Sequence, residues 1–383
     1  MKYIKMCNVD SHRYKDVYSE LFISCEKSMY LCLKRKFTAF VIFKNTVYYR
    51  DIKFESLISD YEYNKNSTLY VLVPDKYESS IITIGERVEF YSKGIYNNIS
   101  TFTDNSDVMT IETLNDKINS LEDTEWIKQH HKNLYKYLIN ANVKNNFKFK
   151  INPWDLSWGL NEPTFVKSRL SADIKKSVLI PLEDLYMPIH ILSSIEPDIP
   201  FVKKKNLIVW RGANSGPKYN CDKRPSRLNL VKLYHDHHLC DIGFCDMRYK
   251  NNIYDFDINN ATYIKGRMNI SKQLEFKFIV SVEGNDFATN FFWILLSNSI
   301  PICPVHLIDT WNYEPKLIPW KHYIPVKNDF SDLIINYNKI KDDEERCRTM
   351  LFEKKLFASQ FLNQENEYYI INKTIEVYIK NIE

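Results

Sequence analysis

Two short segments of this 383-residue chain carry residue types suited to holding a diphosphate. The first reads Arg211-Gly212-Ala213-Asn214-Ser215-Gly216-Pro217, the second Glu283-Gly284-Asn285-Asp286-Phe287-Ala288-Thr289-Asn290. Each joins glycine, which lets backbone come close to a ligand, to hydrogen-bonding side chains. Arg211, Arg224 and Arg227 lie in or near the first segment, and a guanidinium meets phosphate oxygens as a planar, bidentate fork. Glycine is scarce, 8 in 383 residues, yet Gly212, Gly216, Gly243, Gly266 and Gly284 all fall between Lys205 and Ser331. A chain so sparing of glycine places it where geometry requires it. The same glycines could do no more than turn the chain, with the arginines in solvent; spacing leaves both readings open.

The elements that must position these segments are short apolar runs. Leu207–Trp210 reads as a strand leading into the first segment and Lys277–Val282 as a buried strand leading into the second. A helix over Ala288–Leu296 and a strand over Ser299–Cys303 follow. Strand, loop, helix and strand in this order predict a parallel sheet, whose ligands bind at the carboxyl ends of the strands. Earlier in the chain Phe37–Phe43 and Leu69–Val73 read as strands, and 111–142 as mostly helix. Phe147–Asn152 reads as a strand running into Pro153-Trp154-Asp155. Lys203–Lys205 reads as a polar linker between two halves, and Asp342–Ile379 as helix able to pack back across the first.

A hydrophobic fraction of 44% with 26% charged residues describes a folded globular chain and excludes a disordered one. The net charge, 52 − 48 = +4, is too small to argue for nucleic acid or an anionic membrane. No secretory signal is legible at Met1–Asn8, and no apolar stretch approaches the roughly 20 residues a membrane span needs. With eight cysteines spread over the whole length, the expectation is reduced thiols and a cytoplasmic protein.

Taken together, Trp210-Arg-Gly212, Glu283-Gly-Asn285 with Ala288-Thr-Asn290, and Leu317–Val326 followed by Asp329–Leu333 resemble glycosyltransferase family 90. That family includes protein O-glucosyltransferases, capsule-associated xylosyltransferases and lipopolysaccharide-modifying enzymes. The resemblance covers about Pro163 to Phe361, with Pro163–Arg169 an early landmark, and fades over residues 1–129. It implies an α/β protein of the GT-B type, two Rossmann-like domains facing across a cleft. The corresponding boundaries are 1–200 (acceptor side), 201–345 (nucleotide-sugar side) and 346–383 (helices returning to the first domain). It further implies metal-independent, inverting transfer of glucose or xylose from a UDP-sugar to a glycan hydroxyl; the alternative is a non-catalytic nucleotide-sugar or glycan binder of the same fold. By the same resemblance Ala213 and Asn214 contact the nucleotide, Arg224 or Arg227 the diphosphate, and Asn285–Asn290 wrap it, with Asn290 replacing a second arginine of animal members. The catalytic base falls at Asp155, where Trp154-Asp155 replaces the family's Arg-Asp pair. Asp173 and Asp184 are weaker substitutes, and Asp155 could instead cap the turn that follows.

Other features are set aside. His235, His237, His238, Cys240 and Cys245 fit no common zinc spacing. Asp255-Phe-Asp257 has the form of a metal-binding Asp-x-Asp but no strand before it. Trp311, Trp320 and Tyr323 are expected in the core, and Lys277 in solvent beside its strand.

Overall fold

The structure is a computed structural model, and it describes residues 2–11, 16–95, 102, 106–195, 198–216, 224–245 and 260–382. Pro217, Asp255 and Asp257 lie outside the described residues.

The first strands are β1 (Tyr3–Asp10), β2 (Tyr18–Leu21), β3 (Ala39–Phe43), β4 (Thr46–Arg50) and β5 (Glu62–Leu72). They form an antiparallel sheet in the order β1-β5-β3-β4-β2. The runs at Phe37–Phe43 and Leu69–Val73 are thus strands, but they pair antiparallel, so this region is not Rossmann-like. One face packs Met6, Val41 and Leu69 into the main core, while the other packs Phe40, Tyr49 and Tyr70 against the helix Cys25–Lys34. That is the alternation expected of strands covered on both sides.

Residues 111–142 are helical in two pieces, Ile111–Asn119 and Glu125–Asn140, each opened by a threonine cap (Thr110 and Thr124). Then come β6 (Ile151–Asn152), β7 (Thr164–Val166), β8 (Ser168–Leu170) and β9 (Ser177–Leu179). The expected strand at Phe147–Asn152 shortens to its last two residues, with Phe149 bridging Met109. Strands β6, β7 and β9 make a small parallel sheet.

The second half is built on β10 (Lys205–Gly212), β11 (Cys240–Phe244), β12 (Phe276–Val280) and β13 (Ile300–Cys303). After these come β14 (Ile308–Thr310) and β15 (Ile324–Pro325). Apart from β14, which pairs with β8, they form a parallel sheet in the order β11-β10-β12-β13-β15. The chain starts in the middle, adds one strand on one side and then reverses. That is a doubly wound sheet whose switch point lies between β10 and β12. Ile208, Trp210, Phe278 and Val280 enter one core and Val209 and Ile279 the other, as a sheet buried on both faces requires.

Lys203–Lys205 is not a solvated linker. Lys204 is buried and donates to the Asp198 carboxylate and the Leu274 carbonyl, while Lys205 already belongs to β10. A lysine run reports charge, and an ammonium with good partners can still be buried. Helices Glu344–Ser359 and Gln364–Lys380 end the chain. In the second, Glu367 accepts both Arg87 Nη atoms (2.5 and 2.7 Å) and Trp311 Nε1 (2.7 Å), all buried. No helix among the described residues is long and apolar enough to cross a membrane.

Candidate active site

The two glycine-bearing loops leave adjacent strands at the switch point and touch. Gly216 has φ +94°, and a Cβ there would lie 2.9 Å from the Gly284 carbonyl carbon. The Gly216 N–H donates to Asn285 Oδ1 (2.9 Å). Only glycine permits both the left-handed backbone and this approach.

Arg227 braces the pair. Its Nη1 donates to Ser215 Oγ (2.7 Å) and the Ala213 carbonyl (3.3 Å), and its Nε and Nη2 to the Val282 carbonyl (3.2 and 2.9 Å). Arg211 points back along the sheet, donating to the Trp210 carbonyl (2.9 Å) and to Asp241 through its carbonyl and Oδ1 (both 2.7 Å). Asn290 likewise turns inward, accepting from Ser281 Oγ (2.8 Å) and donating to the Val280 carbonyl (3.0 Å). In this arrangement Arg211, Arg227 and Asn290 hold the loops in shape. Ala213, Asn214 and Ser215 are half-buried, Asn285 and Thr289 are exposed, and Phe287 and Ala288 are core.

Glu283 is buried among these loops. Burial pushes its carboxyl up to about 7, against the opposing pull of the Leu307 and Ile308 N–H groups and of Arg224. Its Oε1 accepts from Leu307 N (3.1 Å), and its Oε2 finds no hydrogen-bond partner among the described residues. His306 Nδ1 lies 3.9 Å from Glu283 Oε1, and burial lowers this imidazole to about 3, leaving it neutral.

The facing wall comes from the first half and converges on Lys167, in the link between β7 and β8. This ammonium, 2% exposed, reaches Asp155 Oδ1 (3.0 Å), Glu183 Oε1 (2.5 Å) and Asp286 Oδ2 (3.4 Å). Burial opposes its charge, but Asp286, Glu183 and Asp155 outweigh burial and raise its pKa. Burial also opposes ionisation of Glu183, yet His130, with Nε2 3.0 Å away, and Lys167 hold that carboxyl below its ordinary value. Asp286 is raised by burial despite Lys167, and its Oδ2 accepts from Tyr186 OH (3.1 Å). Asp286 therefore belongs to the loop after β12 and, through Lys167, to the same ion network as Asp155.

Asp155 keeps 44% of its side chain exposed. Asp173 is committed to the Gly159 N–H (2.6 Å), and Asp184 opens the turn Asp184–Tyr186, 3.5 Å from Asn133 Nδ2. The structure thus brings Asp155 together with one residue of the second loop. Sequence reading missed the groups that make the join: His130, Lys167, Glu183 and Tyr186. Lys167 sits inside the Pro163–Arg169 landmark, and a lysine directly after the apolar pair Phe165-Val166 was the available signal.

The family pattern described as glycosyl transferase family 90 matches residues 187–382, just over half of the chain. The chain belongs to glycosyl transferase family 90. Among its relatives is the O-glucosyltransferase LpsA of Dichelobacter nodosus, 30% identical over 223 residues, covering 58% of this chain and 63% of that protein. Protein O-glucosyltransferase 2 of Danio rerio is 26% identical over 181 residues, 46% of this chain and 33% of that protein. Protein O-glucosyltransferase 3 of Homo sapiens is 26% identical over 162 residues, 41% of this chain and 30% of that protein. This family 90 chain therefore spans less than two thirds of the length of these relatives. Both glycine loops and Asp286 fall inside the matched residues, whereas Asp155, Lys167 and Glu183 precede them.

Proposed function

We propose that this family 90 chain is an inverting glycosyltransferase, moving glucose or xylose from a UDP-sugar to a hydroxyl of a glycan acceptor. The loops after β10 and β12 would receive the UDP, with backbone and side-chain groups of 213–216, Asn285 and Thr289 toward the ligand and Arg224 supplying charge. The acceptor oxygen attacks the anomeric carbon from the face opposite UDP. The bond from that carbon to the diphosphate oxygen breaks, and UDP leaves with the electron pair. The acceptor proton passes to Asp155, which needs only to be within hydrogen-bond reach of it. Lys167 would orient Asp155 and tie it to the donor loop through Asp286, a positioning role. No step here calls for a metal ion.

The observation that carries the reading is the Asp155–Lys167–Asp286 network, because it puts an exposed carboxylate beside the loop at the sheet's switch point. The test is UDP release from UDP-glucose and UDP-xylose, with and without glycan acceptors, in wild type and in Asp155→Asn. Release that depends on Asp155 supports the reading. UDP binding without turnover in any combination would leave the non-catalytic binder standing instead.

A further inference from the structure

The chain has seven tryptophans. Trp210, Trp293 and Trp311 are buried and Trp320 is half-buried, whereas Trp126, Trp154 and Trp158 are 40%, 60% and 63% exposed. All three exposed indoles belong to the segments around Asp155. Trp154 precedes it, Trp158 follows three residues later, and the Trp126 ring lies 4.4 Å from Lys167 Nζ and 6.3 Å from the Trp154 ring. Tryptophan is seldom left this open, and a cluster of open indoles marks a surface meant to be covered.

The exposure is not that of a loose loop. Trp154 N donates to Asn152 Oδ1 (3.0 Å), and Asn152 Nδ2 to Ser157 Oγ (3.1 Å). Ser157 N donates to the Ser168 carbonyl (3.2 Å) and Gly159 N to Asp173 Oδ2 (2.6 Å). The backbone of the turn is fixed at both ends, so Trp154 is presented from a held segment, as Trp126 is from the helix Glu125–Asn140.

We propose that Trp126 and Trp154 form the acceptor subsite, and that its occupant is a pyranose ring of a glycan, stacked by its C–H face on indole so that one hydroxyl faces Asp155. The chemistry fits a sugar better than a serine-bearing peptide. Flat apolar faces stand beside a carboxylate and an ammonium, matching a ring with C–H bonds on one face and hydroxyls at its edge. An extended peptide would instead need a strand edge or a series of side-chain pockets.

This inference rests on the transferase reading but is tested apart from it. Methyl β-glucoside, methyl β-galactoside and a serine peptide are titrated against the full chain, following tryptophan fluorescence and saturation-transfer NMR. The expected result is saturable binding of at least one glycoside, weakened roughly tenfold in Trp154→Ala and in Trp126→Ala. Trp154→Phe should recover part of it, and UDP affinity should hold in all three variants. Because Trp154 is exposed, its replacement leaves the fold intact, as thermal melts would check. Glycoside binding unaltered in both alanine variants overturns the proposal, as does binding of the peptide alone, or a parallel loss of UDP affinity. Failure of UDP release with glycoside binding intact would sink the transferase reading and leave the subsite.

Discussion

The two walls of the candidate site are built on opposite principles. The wall after β10 and β12 is made of backbone: two glycines in contact, an arginine stapling four acceptor contacts, and side chains turned inward. The wall from the first half is made of side chains, with one buried ammonium among three carboxylates and open indoles beyond it. A backbone wall suits a ligand of fixed shape such as a nucleoside diphosphate, while a side-chain wall can be retuned for a new partner without disturbing a sheet.

The contrast predicts where damage shows. The largest effect is expected for Asp155→Asn, with transfer falling by about 10²–10⁴-fold and UDP affinity unchanged in equilibrium binding. Equal losses of both would erase the division between the walls. Next is Lys167→Met, which strands Glu183 and Asp286 in the interior and should cost about 3 kcal/mol or more in denaturant melts at pH 7. Glu183 has a lowered pKa, so its contribution is present above its unfolded value and is lost as pH falls through the folded one. The penalty of Lys167→Met should therefore shrink toward acid pH.

Gly216→Ala tests the backbone wall. With φ +94° and no room against Gly284, it should lose about 1–3 kcal/mol. UDP affinity should drop in calorimetry while glycoside binding stays. The last effect is spread over a pH window and has the opposite sign. Glu283 rises from 4.5 to about 7, so the folded state holds its proton more tightly than the unfolded state. Stability is then full below about 4.5 and declines as pH rises to 7, with a ceiling of roughly 3 kcal/mol. Glu283→Gln should flatten that slope in melts taken across the window. A wild-type profile rising over the same window would contradict the burial argument.

The backbone wall was the legible one. Scarce glycine after short apolar runs marked both loops, and the β10 and β12 runs could be little else. The sheet order was not legible, because which strand neighbours which depends on crossovers that leave no local trace. The antiparallel pairing of residues 3–72 was missed for the same reason, since β3 and β5 look alike in either kind of sheet. The side-chain wall was legible only at Asp155, through resemblance. Its other members stand at 126, 130, 167 and 183, and no spacing rule links residues that meet only after folding. Arg211 and Arg227 show the converse: the residue type sought stands beside the glycine loop, yet it is hydrogen-bonded to carbonyls, Ser215 and Asp241.

The short pairing of β8 with β14 has a mechanical side. Ser168–Leu170 and Ile308–Thr310 join the halves by main-chain hydrogen bonds, reinforced by Ser171 on Leu307 and Asp309 and by Arg169 on Asp309. This seam starts one residue after Lys167 and one residue after Leu307, which holds Glu283. It clamps the backbone on both sides of the ion network. The turn that carries Trp154 is fastened to the same seam through Ser157 N on the Ser168 carbonyl, so a change in the register of β8 on β14 would be felt at once by the indoles, by Lys167 and by Glu283.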